Sequence, residues 1–195
     1  MGARLILVTG LPGSGKSTLA ARLVARYGWV LLAKDTVKEA LFDTLGASGP
    51  AIGSRRLSDA GFAVQFALAG PLLAAGRTVL LEGNFRPGEH EAALERLLAA
   101  LPASAPVALG QVLVEAPAAL RAARLAARAR DPLRHPGHAD AALPVPAGDP
   151  GALSLPGALW RVAGEAGVAG DAGEAEFARL CGALDQWLST SSTSA

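Results

Sequence analysis

The sequence predicts a three-layer α/β/α fold, in which a parallel β-sheet carries helices on both faces. Short apolar runs of strand length alternate regularly with longer segments of helical period. A glycine-rich turn joins the first of these runs directly to the first helical segment. The chain has 195 residues, of which 51% are hydrophobic and 18% charged, so it can bury a core of its own. We therefore predict one domain over residues 1–188, with ligand sites at the carboxyl ends of the strands.

The predicted strands are short apolar runs that end in glycine or in polar residues. The first runs into the glycine-rich turn, and the next three each precede a helical segment. The last one has the weakest pattern. The five strands span residues 4–9, 29–33, 78–82, 107–114 and 159–163.

The predicted helices carry start and stop signals. Gly28 is placed to end the first helix, Asp35 to begin the second and Gly46 to close it. The pair Gly70-Pro71 predicts a kink in the third helix, and Pro117 suits the first turn of the fifth. The six helices span residues 16–27, 37–45, 55–75, 87–100, 117–130 and 174–188.

Residues 131–156, which we call the lid segment, separate the fifth helix from the last strand. They contain six prolines and three glycines, which is too many for a continuous helix or strand. A stretch of this length without regular structure is usually functional or disordered. We predict a lid here, and a frayed polar tail over residues 189–195.

Composition and charge narrow the classes of function. The formal net charge of +1 lacks the basic excess of proteins that hold nucleic acid by its phosphates, so nucleic acid is not the favoured partner. The single cysteine, Cys181, is expected to be a buried core thiol. No apolar stretch is long enough to predict a membrane span, and we expect a cytoplasmic protein.

One motif carries most of the chemical information. Residues 10–18 fit G-x-x-x-x-G-K-[ST], a loop whose glycines turn successive backbone N–H groups toward phosphates. Lys16 is predicted to reach the β- and γ-phosphates of ATP, and the Ser17 hydroxyl to bind Mg²⁺. The following helix adds its positive amino end to the same anion. The predicted nucleotide-binding residues are Gly10, Leu11, Pro12, Gly13, Ser14, Gly15, Lys16, Ser17 and Thr18.

Asp35 follows the second strand and therefore lies at the same edge of the predicted sheet as the motif. A hydroxyl that attacks the γ-phosphate must lose its proton, so a carboxylate here suits a general base. The alternative is that Asp35 serves as the N-cap of the helix that follows it. Lys34 and Lys38 flank it, and Lys38 is a candidate contact for the acceptor or a phosphate.

Together these segments resemble the small P-loop kinases grouped with chloramphenicol phosphotransferase, zeta toxins and the 5′-kinase domain of polynucleotide kinase. The resemblance extends over nearly the whole chain. It rests on residues 10–18, on Asp35, on residues 81–85 (Leu-Glu-Gly-Asn-Phe), on arginines 121, 124, 128 and 130, and on residues 134–138 (Arg-His-Pro-Gly-His).

The resemblance implies a strand order of 2-3-1-4-5, transfer of the γ-phosphoryl group of ATP, and a mobile lid between the fourth and fifth strands. It also implies that Glu82 orients Mg²⁺ through water, and that Asn84 and Arg86 follow on a loop that faces the acceptor. An exposed charged loop explains Arg86 almost as well. Polynucleotide kinases usually have arginine where this chain has Lys38, which weakens that relationship.

The arginines of the fifth helix follow one face, since Arg121, Arg124 and Arg128 are spaced at i, i+3 and i+7. In similar kinases, arginines at the spacing of Arg124 and Arg128 contact the nucleotide, one at the base and one at the phosphates. A solvated basic face is the ordinary alternative. His135 and His138 lie in the lid segment without a cysteine or carboxylate cluster, so we expect lid residues and not zinc ligands.

Three functions remain open at this level. The first is a phosphotransferase that moves the γ-phosphoryl group of ATP to a hydroxyl of a small molecule. The second is a 5′-hydroxyl polynucleotide kinase, and the third is an ATP-binding regulatory module that hydrolyses slowly. Asp35 argues against the third. A regulatory ATPase needs a residue that positions water, whereas a carboxylate that faces the acceptor suits transfer to a hydroxyl. The identity of the acceptor, the choice between ATP and GTP, and the oligomeric state are not predicted.

Overall fold

The computed structural model describes residues 2–46, 53–104, 106–138, 148, 151–164 and 170–190. Its centre is a five-stranded sheet in which all neighbouring strands are parallel, in the order β2-β3-β1-β4-β5. This confirms the predicted fold class and strand order. The strands are β1 (Ala3–Thr9), β2 (Val30–Ala33), β3 (Val79–Glu82), β4 (Val107–Glu115) and β5 (Ala158–Ala163).

Six α-helices connect or flank the strands. They are α1 (Lys16–Tyr27), α2 (Lys34–Leu41), α3 (Ser54–Ala74), α4 (Glu91–Ala99), α5 (Ala118–Ala129) and α6 (Asp171–Thr190). A π-helical turn, Phe42–Gly46, continues α2. Every predicted helix is present, and the differences lie at the ends.

Two helix starts differ from the prediction for identifiable reasons. The N-cap of α2 is Ala33 and not Asp35, which lies inside the first turn, where its carboxylate pairs with the side chain of Lys34. The predicted fourth helix began at residue 87, but α4 begins at Glu91. Gly88 has a φ of 79°, a left-handed conformation that a right-handed helix cannot include.

The core lies in two layers, one on each face of the sheet. On one face, α1 and α6 bury leucines such as Leu23 and Leu184 against β1, β3, β4 and β5, and Cys181 is buried in the same layer, as predicted. On the other face, α3 and α4 pack Leu73 and Leu94 against Leu7 and its neighbours. Because both faces are covered, the strands are apolar on both sides.

Helix α3 is long and apolar enough to cross a membrane by length and composition, with a mean hydropathy of 1.3 over 18 residues. It nevertheless buries Leu57, Phe62, Gln65, Ala69 and Leu73 within the protein, and it contacts three strands of the sheet. These contacts are those of a core helix.

The lid segment is described at its two ends, and the two ends are held differently. Residues 131–138 form turns beside α2, whereas residues 151–156 approach the sheet. The Gln111 side chain from β4 donates to the Leu153 carbonyl (3.2 Å) and accepts from the Leu153 N–H (3.1 Å). Leu153 also belongs to the core, so this end of the segment packs against the sheet through both its backbone and a side chain. Residues 139–147, 149 and 150 lie outside the described residues.

The predicted tail began at residue 189, but α6 continues to Thr190. The remainder of that tail, residues 191–195, lies outside the described residues.

Candidate active site

The strand register explains why distant segments meet at one edge of the sheet. Glu82, the last residue of β3, pairs with Val8 on one side and with Ala33 on the other. Two residues beyond Val8 the phosphate-binding loop begins, and two residues beyond Ala33 is Asp35. The loop, Asp35 and Glu82 therefore come together because three parallel strands end at the same level.

The backbone of the loop requires glycine at two positions in particular. Gly13 and Gly15 have φ values of 80° and 100°, which other residues adopt only with strain. A Cβ at Gly15 would also lie 2.7 Å from the Gly164 carbonyl oxygen, and one at Gly13 would lie 2.9 Å from the carbonyl oxygen of Arg121. The loop is packed so tightly that its N–H groups keep a fixed cradle at the amino end of α1, which favours an anion.

Ser17 and Glu82 approach each other across the site. The Ser17 hydroxyl donates to Glu82 Oε1 at 3.2 Å. Burial raises the pKa of Glu82, and the charge of Lys16 acts in the opposite direction. A serine hydroxyl beside a buried carboxylate at the end of the phosphate loop supplies oxygen ligands of the kind that Mg²⁺ prefers, so these two residues fit the predicted ion.

Gln65, on α3, holds together the ends of β2 and β3, the strands that lead to Asp35 and Glu82. Its side-chain amide is fully buried and donates to the Leu32 carbonyl and, at 3.0 Å, to the Glu82 carbonyl. One residue of α3 thus ties β2 and β3 together just before Asp35 and Glu82. No local sequence pattern indicates this role.

A small cavity of about 110 Å³ lies between the loop, α2, α3 and the first part of the lid segment. Lys16, Asp35 and Arg128 all line it, as do the predicted contacts Lys38, Glu82 and Asn84. The structure thus brings together the residues for which the sequence predicted catalytic roles. The remaining residues of its wall are Pro12, Lys34, Ser54, Ser58, Gly83, Leu125, Arg134 and His138.

Asp35 lines this cavity from the first turn of α2. Lys34 Nζ lies 2.6 Å from Asp35 Oδ1. Burial alone would raise the pKa of Asp35, but the charge and hydrogen bond of Lys34, with smaller contributions from Lys16 and His138, lower it to about 2. Asp35 therefore keeps a charged, hydrogen-bond-accepting carboxylate at any pH above about 4. The N-cap alternative loses its basis, since Ala33 occupies that position.

Two lysines face each other across the cavity with different partners. Burial lowers the pKa of Lys16, and the charges of Glu82 and Asp35 oppose that shift. Lys38 is buried and donates to the Ser54 hydroxyl at 2.7 Å. Lys38 thereby links α2 to the start of α3, and it lines the cavity from the acceptor side.

The three arginines predicted to follow one face of the fifth helix have different surroundings in the structure. Arg121 is buried, donates to the Ala116 carbonyl (3.0 Å) and lines a different cavity of about 520 Å³ beside Leu11. Arg124 donates to the carbonyls of Gly13 and Ser14. Arg128 alone among them lines the cavity of Asp35. The helical spacing does place the three arginines on one face of α5. Because that face runs across the phosphate-binding loop, each arginine lies beside a different part of the loop.

Arg86 is placed less favourably than its sequence neighbour Asn84. Its guanidinium pairs with Glu89 at 3.0 Å on an exposed loop, and it is not part of the cavity wall that the described residues form. The structure gives no support to a substrate contact by Arg86. Asn84 does line the cavity, and its buried Oδ1 has no hydrogen-bond partner among the described residues.

The two histidines of the lid segment both pair with carboxylates near α2. His138 Nε2 lies 2.5 Å from Glu39 Oε1, and His135 Nε2 lies 2.9 Å from Asp43 Oδ1. His138 lines the cavity, whereas His135 packs edge-on against Phe42 outside it. Glu39, Ser54 and Ser58 were not predicted as site residues, because nothing in their local pattern differs from an ordinary exposed helix face.

Comparison with known proteins agrees with this geometry. Residues 5–142 match the family described as AAA domain, which is well over half of the chain. The chain belongs to this family. The match includes the phosphate-binding loop, Asp35, Glu82 and the arginines of α5.

Solved structures extend the comparison to the whole fold. A protein of Chloroflexus aurantiacus J-10-fl described as a "putative kinase" is 32% identical, with a TM-score of 0.73 over 84% of this chain and 89% of that one. A sugar kinase from Janibacter sp. HTCC2649 is 15% identical, with a TM-score of 0.51 over 83% and 86% of the two chains. The PezAT toxin-antitoxin system of Streptococcus pneumoniae gives 16% identity and a TM-score of 0.52, over 66% of this chain and 54% of that one.

These likenesses show a P-loop protein with a kinase-like fold, as the predicted resemblance to small P-loop kinases implies. No curated protein matches the sequence significantly.

Proposed function

We propose that the protein is a phosphotransferase that moves the γ-phosphoryl group of ATP to a hydroxyl group of a small molecule. The observation that carries this proposal is the shared cavity of Lys16, Asp35, Glu82 and Arg128. It combines cations for phosphate oxygens with a carboxylate for the attacking hydroxyl, which are the parts that phosphoryl transfer needs.

Each side chain then has a separate task. Lys16 and Arg128 hold phosphate oxygens, while Ser17 and Glu82 hold Mg²⁺, directly and through water. When bound, ATP·Mg²⁺ supplies the phosphoryl group and neutralises part of its charge. Asp35 accepts a hydrogen bond from the acceptor hydroxyl and takes its proton as the new P–O bond forms and the bond to ADP breaks. The proton afterwards leaves to solvent.

The low pKa of Asp35 is compatible with that task. In phosphoryl transfer the transition state is loose, so the hydroxyl keeps its proton until bond formation is well advanced. A carboxylate that is always charged orients the hydroxyl first and receives the proton late. Lys34, which holds Asp35 in place, thus contributes to orientation more than to basicity.

The size and enclosure of the site favour a small acceptor over a polynucleotide. The cavity at Asp35 is about 110 Å³ and is bordered by α3 and by residues of the lid segment, and the net charge of the chain is +1. Tracking a nucleic-acid strand requires an open basic groove.

A transfer screen with ATP labelled at the γ-phosphate tests the proposal directly. The acceptor panel contains metabolites, hydroxyl-bearing antibiotics and 5′-hydroxyl oligonucleotides, and we expect label in a small-molecule phosphate ester with equimolar ADP. Label in an oligonucleotide would favour a polynucleotide kinase instead. Release of inorganic phosphate alone, at a rate that no acceptor changes, would favour an ATPase module and contradict the proposal.

A further inference from the structure

His138 is the part of the cavity wall that neither the sequence pattern nor the phosphate chemistry explains. Its side chain is 5% exposed and is held by Glu39 through Nε2, at 2.5 Å. It reaches the cavity from the lid segment and shares the cavity wall with Asp35. An imidazole is therefore fixed in orientation on the acceptor side of the site.

The pairing with Glu39 determines what the ring offers to a ligand. A carboxylate accepts hydrogen bonds, so Nε2 must carry the proton that it donates. In the neutral ring the other nitrogen, Nδ1, is then an acceptor. Nδ1 forms no hydrogen bond with any residue that the structure describes, and it is not sealed in the protein interior. It can receive a hydrogen bond from a group in the cavity.

The neighbouring wall has the same character. Ser54 accepts from Lys38, which leaves its own hydroxyl proton for a ligand, and Ser58 and Asn84 are neutral and polar. The amide oxygen of Asn84 is buried without a partner among the described residues. Groups of this kind match hydroxyl groups, each of which donates one hydrogen bond and accepts others.

We propose that His138, oriented by Glu39, binds a second hydroxyl of the phosphoryl acceptor, while Asp35 engages the hydroxyl that is phosphorylated. The acceptor is then a polyhydroxy compound, such as a sugar, sugar acid or cyclitol. This inference rests on the proposed function, because it names the substrate class of the same site.

The chain contains a matched control for this role. His135 is also in the lid segment and also pairs with a carboxylate near α2, and its ring meets that of His138 edge-on. It is not among the described residues that line the cavity. If both histidines merely fasten the lid, they should matter equally, whereas only His138 should affect the acceptor if it binds one.

The first experiment compares acceptor classes with the wild-type protein. The polyhydroxy arm contains glucose, gluconate and inositol, and the single-hydroxyl arm contains ethanolamine, serine and choline. We expect transfer to at least one member of the first arm, with a kcat/KM at least about tenfold above any member of the second, as loss of one hydrogen bond predicts. Equal or better transfer to a single-hydroxyl compound overturns the inference and leaves the proposed function standing. Transfer to no compound, with phosphate released to water, overturns both.

The second experiment uses His138→Gln, which keeps an N–H donor for Glu39 but lacks the second ring nitrogen. With the best polyhydroxy acceptor, its KM should rise about tenfold, while the KM for ATP and the melting temperature stay unchanged. His135→Gln should leave both KM values within twofold. A deoxy analogue should lose about tenfold in kcat/KM with the wild-type protein and little with His138→Gln. Equal effects of the two histidine variants, or additive losses for every deoxy analogue, would show that His138 only fastens the lid.

The protonation state gives a readout that does not depend on turnover. The chain has three histidines, so the imidazole ¹⁵N signals can be assigned from single variants. We expect His138 to carry a proton on Nε2, where Glu39 accepts it, and the Nδ1 signal to shift when the acceptor is added. Protons on both nitrogens, or a shift at His135 instead, would overturn the assignment.

Discussion

The proposed nucleotide side and the proposed acceptor side of the cavity are built in different ways. The nucleotide side comes mainly from one continuous segment, residues 10–18, whose conformation is fixed by glycines and by contact with α5 and Gly164. The acceptor side is assembled from four separate parts of the chain, represented by Asp35, Ser54, Asn84 and His138. Phosphate binding therefore depends on local backbone geometry, and acceptor binding depends on how distant elements pack. The geometry of the phosphate-binding loop can therefore be shared across a family while the packing that forms the acceptor side changes.

The largest effect is expected from changes on the nucleotide side. Lys16→Ala removes the cation that meets the phosphates, and Ser17→Ala removes the hydroxyl beside Glu82, so we expect loss of measurable ATP·Mg²⁺ binding or turnover. Neither side chain belongs to the buried hydrophobic core, so the melting temperature should stay near that of the wild type. Calorimetric titration and thermal melts measure both quantities.

Arg26→Ala is the control for these two variants. Arg26 is also on α1, but it pairs with Asp185 away from the cavity. It should bind ATP as the wild type does. Wild-type ATP affinity and turnover in Lys16→Ala would show that the loop has no part in the mechanism. The contrast between the two sides would then no longer hold.

A smaller and more selective effect is expected on the acceptor side from Asp35→Asn. The amide keeps the shape but cannot take the proton, so transfer should fall by roughly 10²- to 10⁴-fold, while ATP binding changes much less. Single-turnover transfer to a confirmed acceptor, with a thermal melt in parallel, measures this. Transfer near the wild-type rate would exclude Asp35 as a base.

Acid adds a check on the stability that Asp35 contributes. Because its pKa is lowered to about 2 in the folded protein, its contribution to stability is fully present above the unfolded value near 4. That contribution is lost as the pH falls toward 2. The difference in stability between Asp35→Asn and the wild type should therefore shrink between about pH 4 and pH 2, and a constant difference would contradict the lowered pKa.

The contrast between the two sides also explains what the sequence could predict. Hydrophobic periodicity, together with glycine, proline and capping residues at segment ends, was enough to predict the presence of every strand and α-helix that the structure describes. The loop motif located the candidate nucleotide site. Asp35 and Glu82 were predictable as site residues because each follows or ends a strand. Two helix starts were wrong: α4 begins after Gly88, whose left-handed backbone interrupts a helix, and α2 begins at Lys34, so that Asp35 lies inside its first turn.

Residues that act through tertiary packing left no local signal. Gln65 looks like any polar residue on a helix, yet it bridges two strand ends from a fully buried position. The pairing of His138 with Glu39 joins positions 99 residues apart. The arginine row shows the converse, since a regular spacing predicted the shared helix face but not the different partners that the fold gives Arg121 and Arg124.

The smallest expected effect concerns the lid segment and distinguishes its two described ends. Nucleotide and Mg²⁺ should slow hydrogen exchange in residues 131–138, because this end touches the site through Arg134 and His138 and closure excludes water from the transfer. Residues 151–156 should exchange equally with and without an ATP analogue, since the Leu153 amide is already bonded to Gln111 and its side chain is in the core.

Gln111→Leu tests why the second end is insensitive. This variant removes both hydrogen bonds to Leu153 and replaces the amide with an apolar side chain of similar size. Hydrogen exchange at Leu153 should therefore become faster by about tenfold, which corresponds to the loss of one or two hydrogen bonds. The nucleotide response of residues 131–138 should persist, because that end is held through α2 and not through β4. Protection of both ends by nucleotide in the wild type would instead mean that the whole lid segment closes as one unit. Residues 151–156, which lead into β5, would then be a moving part of the acceptor side.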